Sequence, residues 1–222
     1  RGADWLGLAG IVQNEHLESV RQGLHPFTGE KLRPRIVQGS NARTFYDFTI
    51  SAPKSVSIQA IVGEDRRIFG AHDQAVRVAL CRLELYAETR VRRGGANENR
   101  KTENLIIAAF THDTSRSLDP QIHTHCVAVN MTFDPVEKRW KALQARSIYD
   151  HLDLLTEAYR WELASRLIAL GYGIENIRNE YGRDLGFEIA GISKEIRDAY
   201  SQRSKDRDRA IEEFIVEKGR RP

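Results

Sequence analysis

Alternation of apolar and polar residues marks 45–51 as a strand, and Ser51, Ala52 and Pro53 then offer a cap and a first-turn proline for a helix reaching about Val62. Ile68, Phe69, Ala75, Val76, Ala79, Leu80, Leu83 and Tyr86 recur with a helical period. This pattern predicts one long amphipathic helix over 65–93, stopped by Gly94 and Gly95. The polar, basic stretch 92–103 reads as an exposed, mobile loop. The clearest strands are 105–112 and 121–133, and the polar turn 113–120 between them predicts antiparallel pairing. A third strand is expected over 139–143.

Ahead of this core, 15–22 reads as a helix, followed by a turn-rich segment through His25, Pro26, Gly29 and Pro34 that suits an extended arm or lid. Behind it, 149–170 is helical and ends at Gly171, 172–178 and 185–190 form a hairpin around Gly182, and 194–218 holds one or two charged helices. Strands outnumber the crossover helices that a parallel sheet requires. The expected fold class is therefore α+β, an antiparallel sheet with helices packed on it.

Composition narrows the function classes. The 222 residues are 41% apolar, enough for a buried core, and no apolar run approaches the roughly 18 residues of a membrane span. A net charge of +3 is too small for a chain coated to bind nucleic acid indiscriminately. Basic residues cluster instead, at Arg33 and Arg35, at Arg90, Arg92 and Arg93, at Arg100 and Lys101, and from Arg203 to Arg209. Cys81 and Cys126 lie in apolar stretches without metal-ligand spacing, which points to reduced, buried thiols in a cytoplasmic setting. The chain begins at Arg1 and reads as a piece of a longer product.

The candidate chemistry lies on the central strands. Side chains alternate along a strand, so His123 and His125 project from one face while Thr124 points the other way. The turn before them brings the end of the preceding strand, with His112, alongside His123. Three imidazoles suit a borderline divalent ion and leave coordination positions open for a substrate such as a phosphate oxygen. The alternative is three ordinary hydrogen-bonding histidines. Asp47 faces away from Tyr46, Phe48 and Ile50, and as a buried carboxylate it would orient a histidine or accept a proton; a backbone or arginine contact is the competing reading.

The run Tyr46-Asp47-Phe48-Thr49-Ile50-Ser51-Ala52-Pro53-Lys54-Ser55-Val56-Ser57, with His112-Asp113-Thr114-Ser115-Arg116 and Asp119-Pro120-Gln121-Ile122-His123-Thr124-His125, resembles the conjugative relaxases of the relaxase-helicase (MobF) family of HUH endonucleases. The resemblance runs from about Trp5 to the charged C-terminal helices. It implies a five-stranded antiparallel sheet in a palm-like fold, with C-terminal helical fingers. Residues 1–191 would be the core, and 192–222 an extension closing over DNA. It further implies one divalent metal ion (Mg, Mn, Zn or Ni) held by His112, His123 and His125, with Asp47 assisting the nucleophile or a histidine, and Lys54 and Arg116 contacting phosphate. The implied activity is site-specific nicking and religation of single-stranded DNA at an origin of transfer, through a 5′-phosphotyrosine, in the cytoplasm. Implied partners are relaxosome proteins, conjugation machinery and a C-terminal helicase. In the family the nucleophilic tyrosine lies upstream of the stretch that Trp5 begins. No tyrosine of this sequence matches it, so the chain is expected to bind metal and DNA without nicking. Two alternatives are a rolling-circle replication initiator of the same architecture, disfavoured by the aspartate motif, and a non-catalytic origin-binding module. A third is an unrelated tri-histidine hydrolase.

Overall fold

The computed structural model describes residues 1–8, 10–33 and 43–218. In chain order the elements are α1 (Gly2–Trp5), α2 (Asn14–Arg21), β1 (Phe45–Ser51), α3 (Lys54–Ile61), α4 (Arg67–Glu84), β2 (Glu88–Arg93), β3 (Ala96–Lys101), β4 (Ile107–Thr114), β5 (Pro120–Val129), β6 (Thr132–Asp134), β7 (Arg139–Lys141), β8 (Leu143–Gln144), α5 (Arg146–Asp150), α6 (Leu152–Ala169), β9 (Ile174–Arg178), β10 (Asp184–Ile189), α7 (Lys194–Ala199) and α8 (Gln202–Lys218). The α+β class holds. The sheets formed by the described strands are β1-β5-β4, β3-β2-β8, β10-β9 and β6-β7, so the strands are shared among smaller sheets where a single five-stranded sheet was expected. The expected arm beyond Arg33, and Arg35 with it, lies outside the described residues.

Two expectations are corrected. The long helix ends at Glu84, and 88–101, read as helix end and loop, is a β-hairpin. Burial explains the change: Thr89 and Val91 are buried while Arg90 and Arg92 are exposed, which is strand periodicity. Arg93 pairs with Ala96, so Gly94 and Gly95 form a two-residue turn. Their φ values of 57° and 85° are those of the turn whose twist matches a hairpin, and glycine takes them without steric cost.

The chain divides into two compact units. The first comprises residues 1–50, 76–110 and 125–159. Its core gathers Leu6, Leu8, Val20, Ile106, Val129, Met131 and Trp140. The fully buried Asn104 gives its amide hydrogens to the carbonyls of Thr102 (2.7 Å) and Phe133 (2.9 Å) and accepts the Phe133 N–H (2.8 Å), so none of the cost of burying an amide is left uncompensated at those atoms. Asp134, equally buried, accepts from Arg100, Lys141 and the N–H groups of Val136 and Glu137, which clamps the β6–β7 turn onto β3.

The second unit comprises residues 51–75, 111–124 and 160–222. Pro53 stands at the N-cap of α3 and provides no side-chain cap. Glu188 of β10 does so instead, accepting the Ser55 N–H at 2.8 Å, where a carboxylate also complements the helix dipole. Ser55 Oγ accepts the Ile189 N–H (2.7 Å), and Ser57 Oγ accepts the Ile122 N–H (3.0 Å). The two buried serines thus tie α3 to β10 and to β5, which carries two of the candidate histidines.

Candidate metal centre and nucleic-acid interface

Burial alternates cleanly along β5. Ile122, Thr124, Cys126 and Ala128 are buried, whereas Gln121, His123, His125 and Val127 are half-exposed. The expected common face of His123 and His125 is therefore present. His112, on β4, stacks against His123 with ring centroids 5.3 Å apart and planes 26° from parallel.

Both β5 imidazoles have a defined tautomer. His123 Nδ1 lies 3.0 Å from the Gln121 carbonyl oxygen, and His125 Nδ1 lies 2.7 Å from Asp47 Oδ2. A carbonyl or carboxylate oxygen only accepts, so each Nδ1 carries a hydrogen, and in the neutral ring the lone pair then sits on Nε2. This is the state in which an imidazole ligates a metal. The donor set thus suits a divalent ion chemically. Asp47 and His125 belong to the first unit, His112 and His123 to the second. Among the described residues no group of three or more His, Cys, Asp or Glu that could hold a metal is gathered.

Asp47 was expected to be buried, but its side chain is 41% exposed. As a mid-strand residue on the exposed face of β1, it meets its partner across the sheet rather than in the core. Thr49, two residues along the same face, places Oγ1 3.2 Å from the same His125 nitrogen. Tyr46 faces the other way, packing near Phe48 and Tyr149.

Lys54 is half-buried, and its ammonium donates to the carbonyls of Pro120 (3.0 Å) and Tyr200 (2.9 Å). Burial lowers its pKa, opposed by the nearby Asp119 and Glu188 carboxylates. Two of its three hydrogens therefore hold the protein together. Arg116 is exposed in the turn between β4 and β5. The cysteines divide: Cys126 is buried as expected, with burial pushing its thiol up to about 12, but Cys81 is exposed because it lies off the apolar stripe of α4.

Two features escaped the sequence reading. The β2–β3 hairpin sets Arg90 opposite Asn99 and Arg92 opposite Asn97 on its exposed face. A two-stranded ribbon bearing Arg and Asn has the dimensions and donors to enter a DNA major groove or to grip phosphates. The Gly94-Gly95 pair between alternating residues was the available signal. The other is His72, 1% exposed, whose Nε2 lies 2.8 Å from Thr124 Oγ1. Burial lowers its pKa to about 4, keeping it neutral. Its place on the apolar stripe of α4, between Ile68 and Ala75, marked it as a core residue.

The comparisons agree with this architecture. The TrwC relaxase family model matches residues 1–222. The chain is 38% identical over 230 residues to the multifunctional conjugation protein TraI of Escherichia coli K12, covering 99% of this chain and 12% of that protein. It thus spans about an eighth of the curated relatives' length. Among solved structures, the conjugative relaxase TrwC in complex with oriT DNA is 35% identical in its copper-bound form, with a TM-score of 0.85 over 100% of this chain and 72% of that one. Another metal-bound complex of TrwC with oriT DNA gives a TM-score of 0.83 at 35% identity, over 100% of this chain and 74% of that one. With the whole chain matched in sequence and in fold, the protein belongs to the TrwC relaxase family.

Proposed function

We propose that this chain is the DNA-processing core of a conjugative relaxase, which nicks and rejoins one strand at an origin of transfer. The observation that carries the reading is the pair of fixed tautomers, His123 on the Gln121 carbonyl and His125 on Asp47, on one face of one strand in a chain matched throughout by that family. His112, His123 and His125 would hold one divalent ion. What such an ion supplies when bound is a Lewis-acid pull on a phosphate oxygen. Asp47 holds the Nδ1 hydrogen of His125 and so keeps Nε2 basic and aimed.

In the full-length protein a tyrosine outside this sequence attacks the phosphorus. The P–O bond to the 3′ oxygen breaks, the 5′ end stays on the tyrosine, and the proton lost by the tyrosine is taken up by the 3′ oxygen. The reverse step reseals the strand without ATP, because the phosphodiester energy is kept in the covalent link. Arg116 and the remaining Lys54 hydrogen are the proposed phosphate contacts, with the Arg/Asn face of the β2–β3 ribbon as a further DNA surface. Residues 192–222, with α7 and α8, are proposed to close over the bound strand, and residues 1–191 to form the core. Relaxosome proteins, a C-terminal helicase and a cytoplasmic site of action follow from the same reading. No helix among the described residues is long and apolar enough to cross a membrane.

The test is a labelled single-stranded origin oligonucleotide incubated with full-length protein and metal. A covalent adduct that disappears in His123→Ala is the expected result. Release of both fragments without an adduct would indicate a hydrolase, and uncut DNA a binding module; either overturns the reading.

A further inference from the structure

Thr124 separates the two β5 histidines and points from the opposite, buried face, where it is 1% exposed. Thr111 immediately precedes His112 on β4. The two hydroxyls lie 2.9 Å apart, and His72 Nε2 of α4 lies 2.8 Å from Thr124 Oγ1. A hydroxyl both donates and accepts, so this chain is complete in either direction, from His72 to Thr111 or the reverse. It crosses from β5 to β4 one residue away from each histidine, and the His112 and His123 rings stack on the opposite face.

Slippage along a β-pair is ordinarily resisted by burial of one face. β4 contributes little to that restraint, because His112 and the residues on either side of it are exposed. The turn between the strands sets the register at its own end, where the Ser115 N–H donates to the Asp119 carbonyl (2.9 Å), and the hydroxyl pair anchored by a buried imidazole is placed to hold that register at the histidines. We infer that His72, Thr124 and Thr111 form a positioning relay that locks β4 to β5 in the register bringing His112 to His123, and so sets the metal affinity of the site. The inference rests on the proposed histidine metal site. None of the three residues needs to touch metal or DNA.

Affinity for manganese(II) alone, measured by competition with a chromophoric chelator on the full chain, tests the relay. Thr111→Val and His72→Leu are each expected to weaken binding by about tenfold or more, the usual effect of removing a group that orients a ligating histidine. Thr124→Val should match them, and Thr124→Ser, which keeps the hydroxyl, should restore wild-type affinity. The His72→Leu/Thr124→Val double variant should lose little more than either single variant, since one chain is broken in all three. Thr111 sits at the exposed end of the chain, so Thr111→Val is the deciding variant where the two buried replacements lower the melting temperature. Wild-type affinity in Thr111→Val and Thr124→Val, with binding lost in His123→Ala, overturns the relay and leaves the metal site standing. Unchanged affinity in His123→Ala removes the metal site itself.

Discussion

The contact between His125 and Asp47 invites a graded perturbation. Asp47→Asn keeps an oxygen that accepts the Nδ1 hydrogen but loses its charge, and Asp47→Ala removes both. A hydrogen bond to a charged group contributes about 1.5–3 kcal/mol. Here the side chains are 36% and 41% exposed, which places the 2.7 Å contact at the low end, about 1–1.5 kcal/mol. At ~1.4 kcal/mol per tenfold, its complete loss weakens metal binding by about tenfold. Thr49 moderates this. Its hydroxyl, 3.2 Å from the same nitrogen, accepts the hydrogen once the carboxylate is gone. Asp47→Ala alone should therefore weaken manganese(II) binding by about threefold to fivefold, Asp47→Asn by less, and Asp47→Ala/Thr49→Val by tenfold or more. The double variant would thus lose more than the sum of the single ones. Calorimetric titration of each variant provides the affinities. If the double variant binds manganese(II) as tightly as wild type while His125→Ala does not, the carboxylate does not act by orienting the histidine.

Three further outcomes follow from the packing. Asp134→Ala leaves Arg100 and Lys141 with Glu137 as their remaining carboxylate and two turn N–H groups unpaired, so urea unfolding should show a loss of about 2–3 kcal/mol; a loss under 1 kcal/mol would mean the cluster is not a clamp. Burial works to raise the Asp134 pKa, but the N–H donors and Arg100 outweigh it and the net shift is downward. Its contribution is therefore present above the ordinary aspartate value, is lost as pH falls through the depressed one, and should vanish from an acid-unfolding profile of Asp134→Asn. A thiol reagent should label Cys81 in the native protein and Cys126 only after unfolding, and fast labelling of both would contradict the burial of β5. Arg92→Ala on the ribbon should lower the slope of log affinity against log salt for origin DNA by about one, and an unchanged slope would remove the ribbon from the DNA surface.

Local pattern carries much of this protein. Strict alternation in β1 and β5 fixes which side chains share a face, because the side-chain period of a strand is two whatever the surroundings. The common face of His123 and His125 and the placing of Asp47 opposite Tyr46, Phe48 and Ile50 were legible for that reason, and so were α2, α6 and the β9–β10 hairpin. Burial was not legible to the same degree. Asp47 and Cys81 proved exposed, since one strand or helix does not reveal what covers each of its faces. The β2–β3 hairpin was lost because charged side chains on one face of a ribbon imitate a loop, and only the burial of Thr89 and Val91 reveals the strand.

What the amino-acid order supplied alone was therefore the chemistry of the candidate site, three imidazoles and a carboxylate, together with the motifs that identify the family. Tertiary structure decided how those groups are held. Asp47 and His125 are 78 residues apart, as Ser55 and Glu188 are 133 apart and His72 and Thr124 are 52 apart, and each pair meets through a hydrogen bond. Such contacts have no local periodicity to announce them, because they exist only once separate elements have packed and a polar atom leaving water must find its partner there.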